Sequence, residues 1–192
     1  LCQAQLLQSL RFYLKAYCCG VASYSFMGNH VHYVVHFEAP RKLSSAELWE
    51  RALAINPGGE IKLKNWSKRH WKRFQERIFD VSEFMRNLQS AFGKWYNETF
   101  QRKGRFWGER FKSTLLADGE AVREAVLYVD LNGFRAGLVA RPEEYKHSSA
   151  YLREQGRDEW LLPPERFMDH NGKSDSKKLY REYKALLYYR GE

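Results

Sequence analysis

A chain of 192 residues and 22.8 kDa, 44% hydrophobic, is long enough to bury one well-filled core and reads as one domain with room for an appendage. Its 32 lysines and arginines against 23 acidic residues leave a net charge of +9 and a pI near 9.5, which favours a polyanionic partner, nucleic acid first. No apolar run approaches the roughly 18 residues of a membrane span, and Cys2, Cys18 and Cys19, odd in number with two adjacent, make a poor disulfide framework and read as small core residues of a protein from a reducing cytoplasm.

In chain order, "QAQLLQSLRFYLKA" (3–16) places Leu6, Leu10, Tyr13 and Leu14 at helical spacing and predicts a first helix that closes at Cys18-Cys19-Gly20. "VASYSFM" (21–27) and "HVHYVVHF" (30–37) are β-branched and aromatic, and the Gly28-Asn29 turn between them makes a hairpin. From about 38 to 79 the composition shifts to a basic insert, part helix and part loop, in which Lys62, Lys64, Lys68, Arg69, Lys72 and Arg73 interleave with Trp66 and Trp71. Asp80 as N-cap with Glu83 three residues on opens the clearest helix, 81–103, with Phe84, Leu88, Phe92, Trp95 and Phe100 as its apolar stripe and Gly104 as its stop. "RFWGERFKSTLLA" (105–117) is expected to be a strand. Asp118-Gly119 starts a second amphipathic helix, 120–132, and after Gly137 come loop and short helix, then a charged helix from about Ser176 to Tyr189.

The hairpin raises the chemical question. Side chains alternate along a strand, so His30 and His32 share a face, with Cα atoms about 7 Å apart, and both imidazoles can converge on one metal ion at roughly 2 Å. His36 lies about 20 Å from His30 by the same count and is left out. Two ligands are too few for a structural zinc site, so a third must come from elsewhere in the chain. From spacing alone, the pair is as readily a half-exposed feature of a sheet end. In the second helix, Glu124, Tyr128 and Asn132 fall at i, i+4 and i+8 on one face, while Asp130 faces elsewhere. A tyrosine nucleophile with an amide oxygen one turn on would complete such a site, although Tyr128 among Val126, Leu127 and Val129 equally suits a core position.

"MGNHVHYVV", then "FWGERFKSTLL", then "YVDLNGFRAGLV" resemble, in order and spacing over roughly residues 5–150, the single-tyrosine HUH transposases, most closely the REP-associated tyrosine transposases. The resemblance implies His30, His32 and Asn132 as ligands of Mg²⁺ or Mn²⁺ and Tyr128 as the nucleophile; Glu124, on the same helical face, is a reserve candidate for ligand or base. It implies nicking and strand transfer of single-stranded or hairpin DNA, through a 5′-phosphotyrosine whose retained phosphodiester energy makes rejoining independent of ATP. Gly28 and Gly133 stand where the family usually has proline. The family's first strand should precede the first helix, so residues upstream of Leu1 are expected. Arg102, Lys103, Arg105, Arg110 and Lys112, with the basic residues and tryptophans of the insert, are candidate DNA contacts: tryptophans can stack unpaired bases while cations follow phosphates, or can simply be the core of that segment. The implied organisation is an HUH catalytic domain over 1–150 with a helical and loop extension over 151–192. The implied fold is α/β in the α+β sense, a ferredoxin-like antiparallel sheet with helices 81–103 and 120–132 available to cover one face. The resemblance leaves monomer and homodimer open and implies a bacterial, nucleoid-associated protein. A replication-initiator or relaxase-like HUH nickase and a catalytically idle nucleic-acid-binding module are the alternatives.

Overall fold

The computed structural model describes residues 1–168 and 175–191. The fold mixes 54% helix with a small antiparallel sheet of two strands. In chain order the elements are α1 (Cys2–Leu14), β1 (Cys19–Phe26), β2 (Val31–Phe37), α2 (Ser45–Ala54), α3 (Glu60–Lys64), α4 (Lys68–Arg77), α5 (Val81–Thr99), α6 (Gly119–Asp130), α7 (Asn132–Arg135), α8 (Ser149–Glu154) and α9 (Ser176–Gly191). Among the described residues no helix is long and apolar enough to cross a membrane. Cys2, Cys18 and Cys19 are free thiols, Cys18 buried and the other two half-buried.

The chain forms two compact units that interleave in sequence. The first comprises Leu1–Cys19 and Phe37–Lys112. Here α1 packs on α5, which buries Phe84, Met85, Leu88 and Phe92 and is capped by the Asp80 carboxylate, accepting from the backbone N–H of Ser82 (2.6 Å) and Glu83 (3.2 Å). The basic insert folds as α2, α3 and α4. Ser44 and Glu47 close a reciprocal cap at the start of α2, and Trp49, Trp66, Trp71 and Phe74 pack on one another with ring centroids 4.8 to 6.3 Å apart.

The second unit comprises Gly20–His36 and Ser113–Glu192. Its core joins Ala22 of β1 and Val34 of β2 to Val126, Leu127 and Val129 of α6, Leu131, Ala150 of α8, Phe167, and Tyr183 and Leu187 of α9. A boundary near residue 150 would fall inside α8, and the segment after it contributes core residues to this unit.

The expected strand over 105–117 is not one. Those residues carry no strand, and their aromatic side chains go to a helix instead: the Trp107 indole N–H donates to the Gln89 carbonyl (2.9 Å), and Phe106 packs on Phe92 and Tyr96. The sheet among the described residues therefore stops at two strands, short of the ferredoxin-like sheet the sequence suggests. The outer edge of β1 is satisfied piecemeal: Phe26 N–H donates to the His147 carbonyl (3.0 Å), Ser25 bridges to Ser148, Tyr24 N–H donates to the Ser149 hydroxyl (2.9 Å), and Leu162 N–H donates to the Val21 carbonyl (2.7 Å). Buried backbone groups need partners, and here loop and helix cap supply what a third strand would. The Arg153 guanidinium, buried at 4% exposure, adds donors to the carbonyls of Ala22 (2.7 Å) and Leu162 (2.9 Å) and pairs with Asp158 (3.2 Å).

Candidate active site

The histidines, the tyrosine and the asparagine all belong to the second unit. Along β2, residues two apart share a face. Val34 is buried in the core that α6 completes, so His32, one rung along, faces the same helix. His30 sits in the turn just before β2, which is closed by Met27 N–H donating to the His30 carbonyl (2.9 Å). Its Nδ1 lies 2.7 Å from the Asn29 amide oxygen; an amide oxygen only accepts, so in a neutral ring this contact is made by the Nδ1–H tautomer, the one whose Nε2 can ligate. The two imidazoles meet edge to face with centroids 4.9 Å apart. Burial, and then the neighbouring His30, lower the pKa of His32, which favours the neutral form that binds a metal.

On α6, Val126, Leu127, Val129 and Asp130 are buried, while Tyr128 is 51% exposed. Its ring stands edge-on to His32 at a centroid distance of 5.8 Å. Three rings from a turn, a strand and a helix thus form one row. Helix α6 ends at Asp130 and α7 follows directly, so Asn132 stays one turn beyond Tyr128. Its amide nitrogen donates to the carbonyls of Tyr128 (3.1 Å) and Val129 (3.3 Å). That commits the nitrogen and leaves Oδ1 as the end with ligand capacity. The Arg135 guanidinium lies over the Tyr128 ring, 5.8 Å from its centroid. Glu124, one turn before Tyr128, is half-buried with Arg123 Nε at 3.8 Å.

Asp130 projects away from this row into the core, as its position on the helix predicts. It is fully buried and accepts from the hydroxyls of Ser23 (2.9 Å), Ser149 and Tyr183 (2.6 Å) and from Ala150 N–H (3.2 Å). Burial pushes its carboxyl up, opposed by the Ser149 and Tyr183 donors and by the charge of Arg153. This cluster fixes the last turn of α6, from whose outer side Tyr128 projects.

Two imidazoles in edge-to-face contact, with an asparagine one turn beyond Tyr128 on the facing helix, are donor types that a divalent cation with open positions can use. Among the described residues no three His, Cys, Asp or Glu side chains gather as a metal site, so the third donor would be Asn132 or a substrate oxygen.

The candidate DNA contacts lie in the first unit. Lys62, Lys64, Lys68, Arg69, Lys72 and Arg73 are all exposed on α3 and α4, whereas Trp66 and Trp71 are half-buried against each other and Phe74. The tryptophans act as the core of the insert, and its cations cover the outside. Arg102 lies over Tyr96, Arg110 lies over Phe111, Lys112 pairs with Glu109 (3.4 Å), and Lys103 and Arg105 are exposed.

Asn29 and Arg135 are the site residues that the sequence did not single out. Asn29 reads as turn chemistry, and its second role needs the His30 rotamer. Arg135 stands seven residues after Tyr128, two helical turns, a spacing that could have flagged it. No family model matches the chain, and no curated protein or solved structure matches it either.

Proposed function

We propose that the chain is a metal-dependent DNA-nicking and strand-transfer enzyme of the single-tyrosine HUH kind, similar to the REP-associated tyrosine transposases, in which Tyr128 attacks a phosphodiester of single-stranded or hairpin DNA. The observation that supports this most is the approach of Tyr128 to His32 at 5.8 Å, between residues far apart in sequence, at a position where a merely structural tyrosine would be buried.

A phenol ordinarily ionises near pH 10 and attacks poorly at neutral pH. Arg135 stands over the Tyr128 ring, and Glu124, one turn earlier on α6 and beside Arg123, is the candidate base for the phenol proton. Attack forms a bond from Tyr128 Oη to phosphorus and breaks the bond from phosphorus to the 3′ oxygen, which leaves as a hydroxyl after gaining a proton. The 5′-phosphotyrosine is then open to attack by another 3′-hydroxyl. Mg²⁺ or Mn²⁺ held by His30, His32 and Asn132 would supply Lewis-acid polarisation of the scissile phosphate. The Asn29 contact suits the His30 tautomer that leaves Nε2 free to ligate, and burial lowers the pKa of His32.

Incubation with an end-labelled hairpin oligonucleotide and Mn²⁺ should give a labelled protein band on a denaturing gel, absent with EDTA and absent in Tyr128→Phe. Adduct that survives in Tyr128→Phe refutes the assignment. The second reading, a nucleic-acid-binding module without chemistry, is favoured by the lack of a third His, Cys, Asp or Glu beside the histidines among the described residues; it predicts metal-independent binding and no adduct with any hairpin.

A further inference from the structure

Within the first unit, a groove of about 700 Å³ runs between one face of α5 and the segment Gly104–Arg110. Its α5 wall carries Arg86 and Lys94, and its opposite wall carries Arg105 and Arg110, against a single lining carboxylate, Glu109, which already pairs with Lys112 (3.4 Å). The walls are fixed to each other. Trp107 donates to the Gln89 carbonyl (2.9 Å), the Asn97 amide donates to the Gly104 carbonyl (2.9 Å), and Phe106 packs on Phe92 and Tyr96 while staying 38% exposed. Gly104, at φ +94°, turns the chain back along the helix in a conformation that suits only glycine at low cost, and Gly93 leaves the α5 wall without a side chain. The result is a preformed basic trough with an aromatic face in it. Among the described residues Arg105 has no carboxylate within ion-pair distance, whereas Arg86 and Lys94 keep exposed pairs with Glu83 and Glu98 that water screens.

We propose that this trough binds the sugar-phosphate backbone of an unpaired DNA strand, with Phe106 offering a face to a base. A concavity of this volume suits a drug-sized segment, a few nucleotides of one strand. Cations along the walls with an aromatic between them are what sequence-tolerant single-strand binders use. The choice of DNA as the polymer rests on the reading of Tyr128 as a DNA nucleophile; the choice of a single phosphodiester strand rests on the trough alone.

The test is an anisotropy titration of a fluorescein-labelled unpaired oligonucleotide in EDTA across a salt series. The combined variant Lys94→Ala, Arg105→Ala, Arg110→Ala should bind more than about tenfold more weakly at low salt and lose about 2 from the slope of log K against log salt, near 0.7 per phosphate contact. The single variant Arg105→Ala, which breaks no ion pair in the fold, should lose about 0.7. A control with the same number of cations removed from α9, Lys177→Ala, Lys178→Ala, Arg181→Ala, should bind like the parent. Parent-like binding by the groove variants, an equal loss in the α9 control, or binding of duplex as tight as that of the single strand would each overturn the proposal. Intact groove binding without any covalent adduct would retire the Tyr128 chemistry and keep the trough, and adduct formation unaffected by the groove variants would do the reverse.

Discussion

At the scale of single residues, Gly133 carries a constraint that its place in α7 does not announce. A Cβ there would lie 2.4 Å from Cγ and 2.7 Å from Cβ of Tyr145, the stiff base of a ring whose hydroxyl donates to the buried Phe26 carbonyl (2.8 Å). Gly133→Ala should therefore destabilise by about 1–3 kcal/mol in urea unfolding, the usual cost of overpacking, although alanine is the better helix former. Proline, which the resembled family has at this point, would fit no better. The histidines give a pH prediction with a definite sign. Burial lowers the pKa of His32 and of His147, so as the pH falls below about 6.5, the ordinary imidazole value, the unfolded chain binds more protons than the folded one. Stability present above about pH 6.5 is then lost as the pH falls below it. His147→Gln should flatten that part of the urea-midpoint profile; an unchanged slope would mean that His147 is not held neutral. The pairing of His30 with His32 was legible as a strand period, and the roles of Asn29 and Arg135 were not, because a rotamer and a ring face are set only by the folded chain.

At the scale of elements, the hairpin follows from two β-branched and aromatic runs either side of the Gly28-Asn29 turn, and α6 from an amphipathic 3.6 period behind an Asp118 cap. The segment 105–117 misleads because Phe106, Trp107, Phe111, Leu115 and Leu116 look strand-like in composition without alternating. Phe106 and Trp107 dock on α5, Leu115 stands 95% exposed, and nothing there forms a ladder. The tryptophans of the insert were open to two uses, and the packing of Trp66 on Trp71 and Phe74 decides for the structural one. The last turn of α6 is held by α9 through the Tyr183 hydroxyl, which donates to Asp130 at 2.6 Å in a fully buried setting. Tyr183→Phe keeps the ring against Phe167 and removes one donor, so it should cost about 1.5–3 kcal/mol. Asp130→Ala strands several buried donors at once and should cost more. A Tyr183→Phe protein as stable as the parent would show that the hydroxyl bond carries no net stabilisation.

At the scale of the molecule, the second unit is assembled from two stretches, 20–36 and 113–191, with most of the first unit between them in sequence. Its contacts are accordingly long in range: Tyr24 of β1 bonds Ser149, 125 residues away, and Arg153 bonds Ala22, 131 residues away. A sequence reader sees the site motifs end near 150 and draws a boundary there, but the core continues through Phe167, Tyr183 and Leu187. A fragment of residues 1–150 should accordingly lack a cooperative urea transition for the histidine unit, seen as lost chemical-shift dispersion of Val34 and Val126; a fragment with native shifts there would make the last segment dispensable. The central claim is that the phenol beside the histidine pair becomes covalently joined to DNA. The most direct measurement is peptide mapping by tandem mass spectrometry after reaction with a hairpin oligonucleotide and Mn²⁺, with the bound strand trimmed by nuclease. A nucleotide attached through its 5′ phosphate to the peptide bearing Tyr128 is the predicted result, and attachment to any other residue, or to none, would contradict it.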